Sequence, residues 1–234
     1  MSASLSFEQH GQAPGAVLSC RAMNVAYRLT TPDLVLRCIE PQDAPARKQA
    51  VDASGEHLED FFRPTPEGPM TLDAHVVQLR RYRAAFDSDT DRCYAVLDAA
   101  RQRFLGEALL LKRVGIDALE LGYWIRADAA GRGLATQMAS ALVKCAFELE
   151  GVARLDLLCL TGNERSAAMA RRLGFTLEGT LRDRQLYAHH RRGDLSSFSL
   201  LASEYPRTRS AGLALEAFDV LGRPLSRGGR TPAS

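Results

Sequence analysis

The sequence lacks both a long hydrophobic run and a strong excess of charge. No segment approaches the roughly 18 consecutive apolar residues that a membrane-spanning helix needs, and residues 1–15 lack the basic and then apolar stretches of a secretory signal. The 30 Lys and Arg residues nearly balance the 28 Asp and Glu residues, whereas nucleic-acid binding requires basic residues clustered on one face. We therefore expect a cytoplasmic protein that binds neither membranes nor nucleic acid.

Paired cysteines and clustered metal ligands are also missing. The five cysteines are odd in number and include no C-x-x-C motif, and Cys145 and Cys159 lie inside apolar segments. These features favour buried, reduced thiols over a disulfide framework. His189 and His190 are adjacent, so on a strand they would face opposite sides, and no third ligand stands at a site-like spacing. The sequence therefore predicts no metal site.

The composition is that of an ordinary globular protein. Over 234 residues, 46% are hydrophobic and 25% are charged, which suits one main domain with additional ends. We predict a body at 33–205 between an extension at 1–32 and a tail at 206–234. Within the tail, 211–221 has the pattern of an amphipathic helix and 222–234 is rich enough in Gly, Arg and Ser to be mobile. The sequence leaves both a monomer and a homodimer open.

The body shows a succession of strand and helix patterns. A strand is followed by two helices, three strands, a long helix, a strand, a short helix and a hairpin, which predicts a mixed α/β layer with one parallel crossover. The predicted elements are strand 34–39, helices 43–55 and 71–86, strands 93–98, 104–114 and 118–126, helix 134–150, strand 152–160, helix 163–174, and a hairpin over 175–205 that turns near Gly193 and Asp194.

A glycine-containing loop joins a predicted strand to the longest predicted helix. The stretch is LGYWIRADAAGRGLAT, from Leu121 to Thr136. A helix that begins after such a loop has amides without partners, all carrying the positive end of the helix dipole. This arrangement is typical of an anion site, most often one for phosphate.

Two common phosphate-binding loops do not fit. A Walker loop needs Gly-Lys-Ser/Thr, and neither the lysine nor the hydroxyl stands at the required spacing between Gly131 and Thr136. A dinucleotide-binding fold needs a third glycine within repeated βαβ units. Here Thr136 replaces that glycine, and only one crossover follows a three-stranded meander.

The loop and two further motifs resemble those of the GNAT N-acetyltransferases. Ala130-Gly131-Arg132-Gly133-Leu134-Ala135 is similar to the family's Arg/Gln-x-x-Gly-x-Gly/Ala signature, although Ala130 replaces the usual Gln or Arg. The stretches NERSAAMARRLGFTLEGTLRD and TPDLVLRCIEPQDAPA resemble the RimJ/RimL branch, which acetylates ribosomal-protein N-termini. The resemblance spans about 31–205. It implies a GNAT acyl-CoA N-acyltransferase fold, a mixed, mostly antiparallel sheet flanked by helices, with a splayed parallel pair at the cofactor site.

The resemblance implies acetyl-CoA as cosubstrate, without a metal. Loop amides would hold its pyrophosphate, and the open backbone of the preceding strand would pair with its pantetheine arm. Asn163 would contact that arm, although a helix N-cap explains it equally well. Ser166 would lie near the sulfur. The implied cofactor-binding residues are Tyr123, Trp124, Ile125, Arg126, Gly131, Arg132, Gly133, Leu134, Ala135, Thr136, Asn163 and Ser166.

The catalytic candidates are Ser166 and Glu120. By resemblance, Ser166 could protonate or stabilise the leaving thiolate. The family's general base aligns with Gln185, which cannot accept a proton at neutral pH. The available carboxylates are Glu120 and Asp183, and water is the other possibility. An α-amine with a pKa near 8 needs less help than a lysine near 10.4, so a weak base slightly favours an N-terminal acceptor.

The acceptor site is the least defined part of the sequence. Phe61 and Phe62, between the first two helices, are either core residues or part of the acceptor wall, and Gln185 is the third candidate for substrate binding. The resemblance implies acetyl transfer to a primary amine, either a protein N-terminal α-amine or a small-molecule amine. A larger acyl donor such as succinyl-CoA stays open, as does a non-catalytic acyl-CoA sensor.

Overall fold

A single nine-stranded sheet runs through the described part of the computed structural model, which comprises residues 25–58, 70–100, 102–186 and 192–226. The strands are β1 (Arg28–Thr30), β2 (Leu34–Cys38), β3 (Asp91–Asp98), β4 (Phe104–Leu111), β5 (Ala118–Ile125), β6 (Arg154–Leu160), β7 (Thr176–Leu186), β8 (Arg192–Leu201) and β9 (Glu216–Phe218). Their order across the sheet is β7-β8-β6-β5-β4-β3-β2-β1-β9.

Helices cover both faces of this sheet. They are α1 (Ala44–Asp52), α2 (Gly55–Leu58), α3 (Leu72–Asp87), α4 (Leu134–Cys145), which continues as a π-helical turn over Ala146–Glu150, and α5 (Glu164–Arg172). On one face, α4 and α5 bury the larger apolar core, which includes Met138 and Met169. On the other face, α1 and α3 bury a second cluster around Leu79 and Trp124. The sheet is therefore the middle layer of three, and side chains that alternate along a strand enter different cores.

One pair of neighbouring strands is parallel, and it separates before its end. Residues 118–121 of β5 pair with 154–157 of β6, whereas all other described pairs are antiparallel. Among the described residues, β5 pairs only with β4 beyond Leu121, and β6 pairs only with β8 beyond Leu157. The predicted mixed sheet with a splayed parallel pair is confirmed, and residues 122–125 of β5 form what we call the open segment.

Capping residues fix three of the helix ends that the sequence predicted, whereas the helix predicted over 43–55 ends at Asp52 and Gly55 begins α2. Thr71 Oγ1 accepts a hydrogen bond from the Ala74 N–H at 3.2 Å and begins α3. Asn163 Oδ1 accepts one from the Ser166 N–H at 3.0 Å and begins α5. Gly151 has a φ of 67° and ends the π-helical turn after α4 in the left-handed conformation that glycine favours. These contacts are local in sequence, which is why the pattern predicted them.

The helix predicted over 211–221 is wrong. Arg209–Gly212 forms a short 3₁₀ turn and Glu216–Phe218 forms β9, which pairs antiparallel with β1. The Tyr27 N–H donates to the Phe218 carbonyl at 2.8 Å. A single eleven-residue amphipathic helix is marginal by itself, whereas β1 would otherwise leave an unpaired sheet edge. Pairing at that edge therefore decides the conformation of this segment.

The predicted hairpin is confirmed as β7 and β8, but Gly193 and Asp194 are not its turn. Both residues lie in β8, where Gly193 is the register partner of Gln185. The Asp194 carboxylate accepts a hydrogen bond from the Asp183 N–H at 2.8 Å, and Asp183 itself has a φ of 52°. Gly193 and Asp194 therefore pair with and bond to the irregular part of β7. Residues 187–191 lie outside the described residues.

Among the described residues, Cys38, Cys93, Cys145 and Cys159 are free and buried, as the sequence predicted. Cys20 lies outside the described residues.

Candidate active site

The glycine loop adopts a backbone that only glycine takes readily. Gly131 and Gly133 have φ values of +77° and +79°, and a Cβ at either position would meet no atom within 4 Å. Gly133 is the N-cap of α4. The first amides of a helix have no partner inside it, and in α4 these belong to Leu134, Ala135 and Thr136. The loop thus presents the exposed start of a helix, as an anion site requires.

The open segment of β5 directs two amides away from β4. The Arg126 N–H donates to the Leu105 carbonyl at 2.8 Å, and Trp124 is the register partner of Glu107. Because successive amides along a strand point to opposite edges, those of Tyr123 and Ile125 point to the edge that β6 has left. The Arg126 amide is therefore not on this edge. The Arg126 side chain donates two hydrogen bonds to the Asp128 carboxylate, at 3.1 and 3.2 Å.

Ser166 lies next to the open segment, on the face covered by α5. The Tyr123 hydroxyl donates to Ser166 Oγ at 3.2 Å, and Ser166 is 4% exposed. Asn163 caps the same turn through the Ser166 amide, so its predicted role as an N-cap is confirmed. Burial raises the pKa of the Tyr123 hydroxyl above its usual value. The structure thus brings three of the predicted residues together beside the opening.

The other predicted side chains lie apart from this group. Glu120 is 5% exposed on the opposite face and is held by Arg113, whose Nε donates to Oε2 at 2.7 Å. Trp124 packs on that same face, among the residues below α1 and α3. Gln185 is half-buried in β7. Phe61 and Phe62 lie outside the described residues.

Sequence reasoning missed a second carboxylate beside Glu120. Asp156 is its register partner across the parallel pair. Burial raises the pKa of Asp156, although the Arg154 guanidinium, with Nε at 2.6 Å, acts in the other direction. An aspartate within an otherwise apolar strand, VARLDLLCL, was the available signal.

A buried polar network also escaped the sequence reading. Glu107 on β4 accepts hydrogen bonds from Arg47 Nε at 2.5 Å and from the Trp124 indole N–H at 2.7 Å. Arg47 also contacts His75 Nδ1 at 2.5 Å. The network joins α1, α3, β4 and the open segment, and its residues are at most 5% exposed. A Cβ on the neighbouring Gly106 would collide with the Trp124 carbonyl, so glycine permits this close approach.

His75 should make the protein less stable in mild acid. Burial, and then the Arg47 guanidinium, lower the pKa of His75 to about 4, whereas an unfolded histidine titrates near 6.5. As the pH falls from 6.5 to 4, the unfolded chain binds a proton that the folded protein does not, so the free energy of unfolding decreases by about 2 to 3 kcal/mol. Thermal unfolding of wild type and His75→Gln from pH 7 to pH 4 measures this loss. The variant should lose less, and equal slopes would refute the assignment to His75.

Within the described residues, no group of three or more His, Cys, Asp or Glu side chains could hold a metal ion. None of the helices described is both long and apolar enough to cross a membrane.

Comparisons with known proteins identify the family. Residues 33–176 match the family model described as the acetyltransferase (GNAT) domain. The chain is 30% identical over 181 residues to YdaF of Bacillus subtilis (strain 168), whose name assigns it provisionally to the ribosomal N-acetyltransferases. This match covers 74% of the chain and 93% of YdaF.

Solved structures show the same fold. RimJ of Mycobacterium smegmatis, in complex with a CoA disulfide, superposes with a TM-score of 0.69 at 20% identity, over 80% of this chain and 91% of RimJ. The microcin C7 self-immunity acetyltransferase MccE, in complex with acetyl-CoA and AMP, gives a TM-score of 0.66 at 17% identity, over 73% of this chain and 93% of MccE. The sequence matches confirm the prediction made from the motifs: the chain belongs to the GNAT family of acetyltransferases.

Proposed function

We propose that this protein transfers the acetyl group of acetyl-CoA to a primary amine, and that the amine is the N-terminal α-amine of a ribosomal protein. The observation that carries the proposal is the opening between β5 and β6, which leads to the glycine loop at the start of α4 and has Ser166 beside it. The name of its relative YdaF, which assigns that protein to the ribosomal N-acetyltransferases, supports the ribosomal acceptor.

The residues present fit acetyl-CoA. Gly131 and Gly133 leave space where a side chain would stand, so the amides of Leu134, Ala135 and Thr136 can receive the pyrophosphate. The outward amides of Tyr123 and Ile125 can pair with the pantetheine arm as an added strand would. Asn163, at the start of α5, would approach the same arm. When bound, acetyl-CoA supplies an activated acetyl thioester.

Each chemical demand of the transfer has a candidate on the chain. An outward N–H of the open segment would stabilise the negative charge that develops on the carbonyl oxygen. Ser166 would donate to the departing sulfur. Glu120 is proposed to accept the proton of the amine through water, from the face opposite Ser166, with its ion pair to Arg113 holding the carboxylate in place. An α-amine needs little help from a base, because its pKa is near 8.

The acceptor would approach from the face that α1 and α3 cover only in part. These helices pack over β3 and β4, and the segment that joins them carries Phe61 and Phe62, which we propose as part of the acceptor wall together with Gln185. A ribosomal acceptor also fits a cytoplasmic location.

The first experiment tests binding and transfer separately. The thermal unfolding midpoint should rise by several degrees with acetyl-CoA at 100 times its dissociation constant, because this adds about 2.7 kcal/mol of stability. Succinyl-CoA, NAD and ATP serve as comparison ligands. Purified ribosomal proteins are then incubated with acetyl-CoA, and their intact masses and N-termini are measured.

Variants distinguish the enzyme from a sensor. Ser166→Ala and Glu120→Gln should slow transfer by about 100-fold or more while leaving the acetyl-CoA shift intact. A shift without transfer to any amine would instead establish a non-catalytic acyl-CoA sensor. A shift with NAD or ATP alone would overturn the proposed cofactor.

A further inference from the structure

The Tyr123 hydroxyl is positioned to determine the direction of the Ser166 hydroxyl. The two oxygens lie 3.2 Å apart, with Tyr123 as donor. A phenol, with a pKa near 10, is a better donor than an aliphatic alcohol, so the bond runs from Tyr123 to Ser166. Burial raises the pKa of Tyr123 further, which keeps this proton in place at neutral pH.

The accepted hydrogen bond has a consequence for Ser166. A serine hydroxyl has a single proton, and once Tyr123 occupies a lone pair of Oγ, that proton must point elsewhere. Ser166 is 4% exposed, and the bond from its amide to Asn163 fixes the backbone that carries the side chain. Its hydroxyl is therefore presented as a donor, with one of its two acceptor lone pairs already occupied by Tyr123.

Cys159 is a competing acceptor for the Ser166 proton. Its pKa is raised by burial and lowered by a hydrogen bond from Ser166, with a net rise. The thiol is thus protonated at neutral pH, and a neutral thiol accepts hydrogen bonds weakly. A thiolate is a much stronger acceptor. The Ser166 hydroxyl would therefore turn from Cys159 to a neighbouring sulfur that acquires negative charge.

We propose that Tyr123 is a positioning residue for the transfer, which holds Ser166 as a hydrogen-bond donor to the leaving sulfur. The inference rests on the proposed function. As the carbon–sulfur bond breaks, its electron pair goes to sulfur, and the Ser166 hydroxyl donates a hydrogen bond to the developing thiolate. The proton that Glu120 takes from the attacking amine returns through water to this sulfur, so CoA leaves as the thiol. Tyr123 and Ser166 keep their own protons throughout.

The test is a double-mutant cycle with Tyr123→Phe, Ser166→Ala and the combined variant, measured by CoA thiol release in the presence of an amine acceptor. We expect Tyr123→Phe to lower kcat about tenfold with the KM for acetyl-CoA nearly unchanged. The double variant should be no slower than Ser166→Ala, because Tyr123 acts through Ser166. Tyr27→Phe removes a comparable hydroxyl, bonded to Asp87, and should leave kcat unchanged.

A second measurement uses the leaving group. An acetyl thioester of a more acidic thiol needs less help as its sulfur departs, so the loss in Tyr123→Phe should shrink with such a donor. A purely structural role would lower kcat equally with both donors. Equal losses, additive losses in the cycle, or an unchanged kcat in Tyr123→Phe would each overturn the inference while leaving the proposed function intact. Wild-type protein that binds acetyl-CoA but releases no thiol with any amine would overturn the proposed function itself.

Discussion

Gly133→Glu should abolish the thermal stabilisation by acetyl-CoA. Gly133 has a φ of +79° at the N-cap of α4, a conformation that costs a residue with a side chain about 1 to 2 kcal/mol. A glutamate there would also place negative charge against the amides proposed to receive pyrophosphate. We expect no shift in the unfolding midpoint at a concentration that adds about 2.7 kcal/mol of stability to the wild type.

Gly222→Glu is the matched control for this result. Gly222 is exposed with a φ of +75°, and a Cβ there would also meet no atom within 4 Å. The same side chain in a similar backbone should lower the stability of the free protein by a similar amount and leave the acetyl-CoA shift intact. If Gly133→Glu keeps the full shift, the glycine loop is not the cofactor site.

Glu107→Ala should cause the largest loss of stability. Glu107 and Arg47 are 2% and 1% exposed, and removing one partner of a buried ion pair typically costs about 3 to 5 kcal/mol, because the other charge stays buried. The Trp124 indole N–H would lose the same acceptor. For a protein of this size, the unfolding midpoint should fall by roughly 10 °C.

Glu178→Ala provides the comparison at the surface. Glu178 pairs with Arg154, whose two terminal nitrogens donate to it at 2.8 and 2.5 Å, but 42% of the glutamate side chain is exposed. Exposed pairs of this kind contribute about 0 to 1 kcal/mol, so the midpoint should change by only a few degrees. A Glu107→Ala midpoint no lower than that of Glu178→Ala would show that the buried network contributes little to stability.

The proposed cofactor side of the site could be predicted because its signals are local in sequence. Gly131 and Gly133 mark a positive-φ loop before a helix, and Asn163 lies one turn before the serine whose amide it caps. Each of these arrangements joins residues only a few positions apart, so a short sequence motif indicates it. The contact between Tyr123 and Ser166 spans 43 positions and had no such signal.

The proposed acceptor side could not be predicted in the same way. Arg47, His75, Glu107 and Trp124 come from two helices and two strands, and they meet only when both helices pack on the sheet. Glu120 was available as a carboxylate, but its ion pair with Arg113 depends on how the turn between β4 and β5 folds back.

By itself, the sequence determined the succession of most helices and strands, the glycine loop and the family, because periodicity, caps and turn residues act over a few positions. Only the tertiary structure decided that β9 completes the edge beside β1, that β5 and β6 separate after Leu121, and that Tyr123 meets Ser166. These features depend on which backbone edges remain unpaired and which faces are buried. Such choices are made between segments distant in sequence, where burial and strand pairing outweigh local preference.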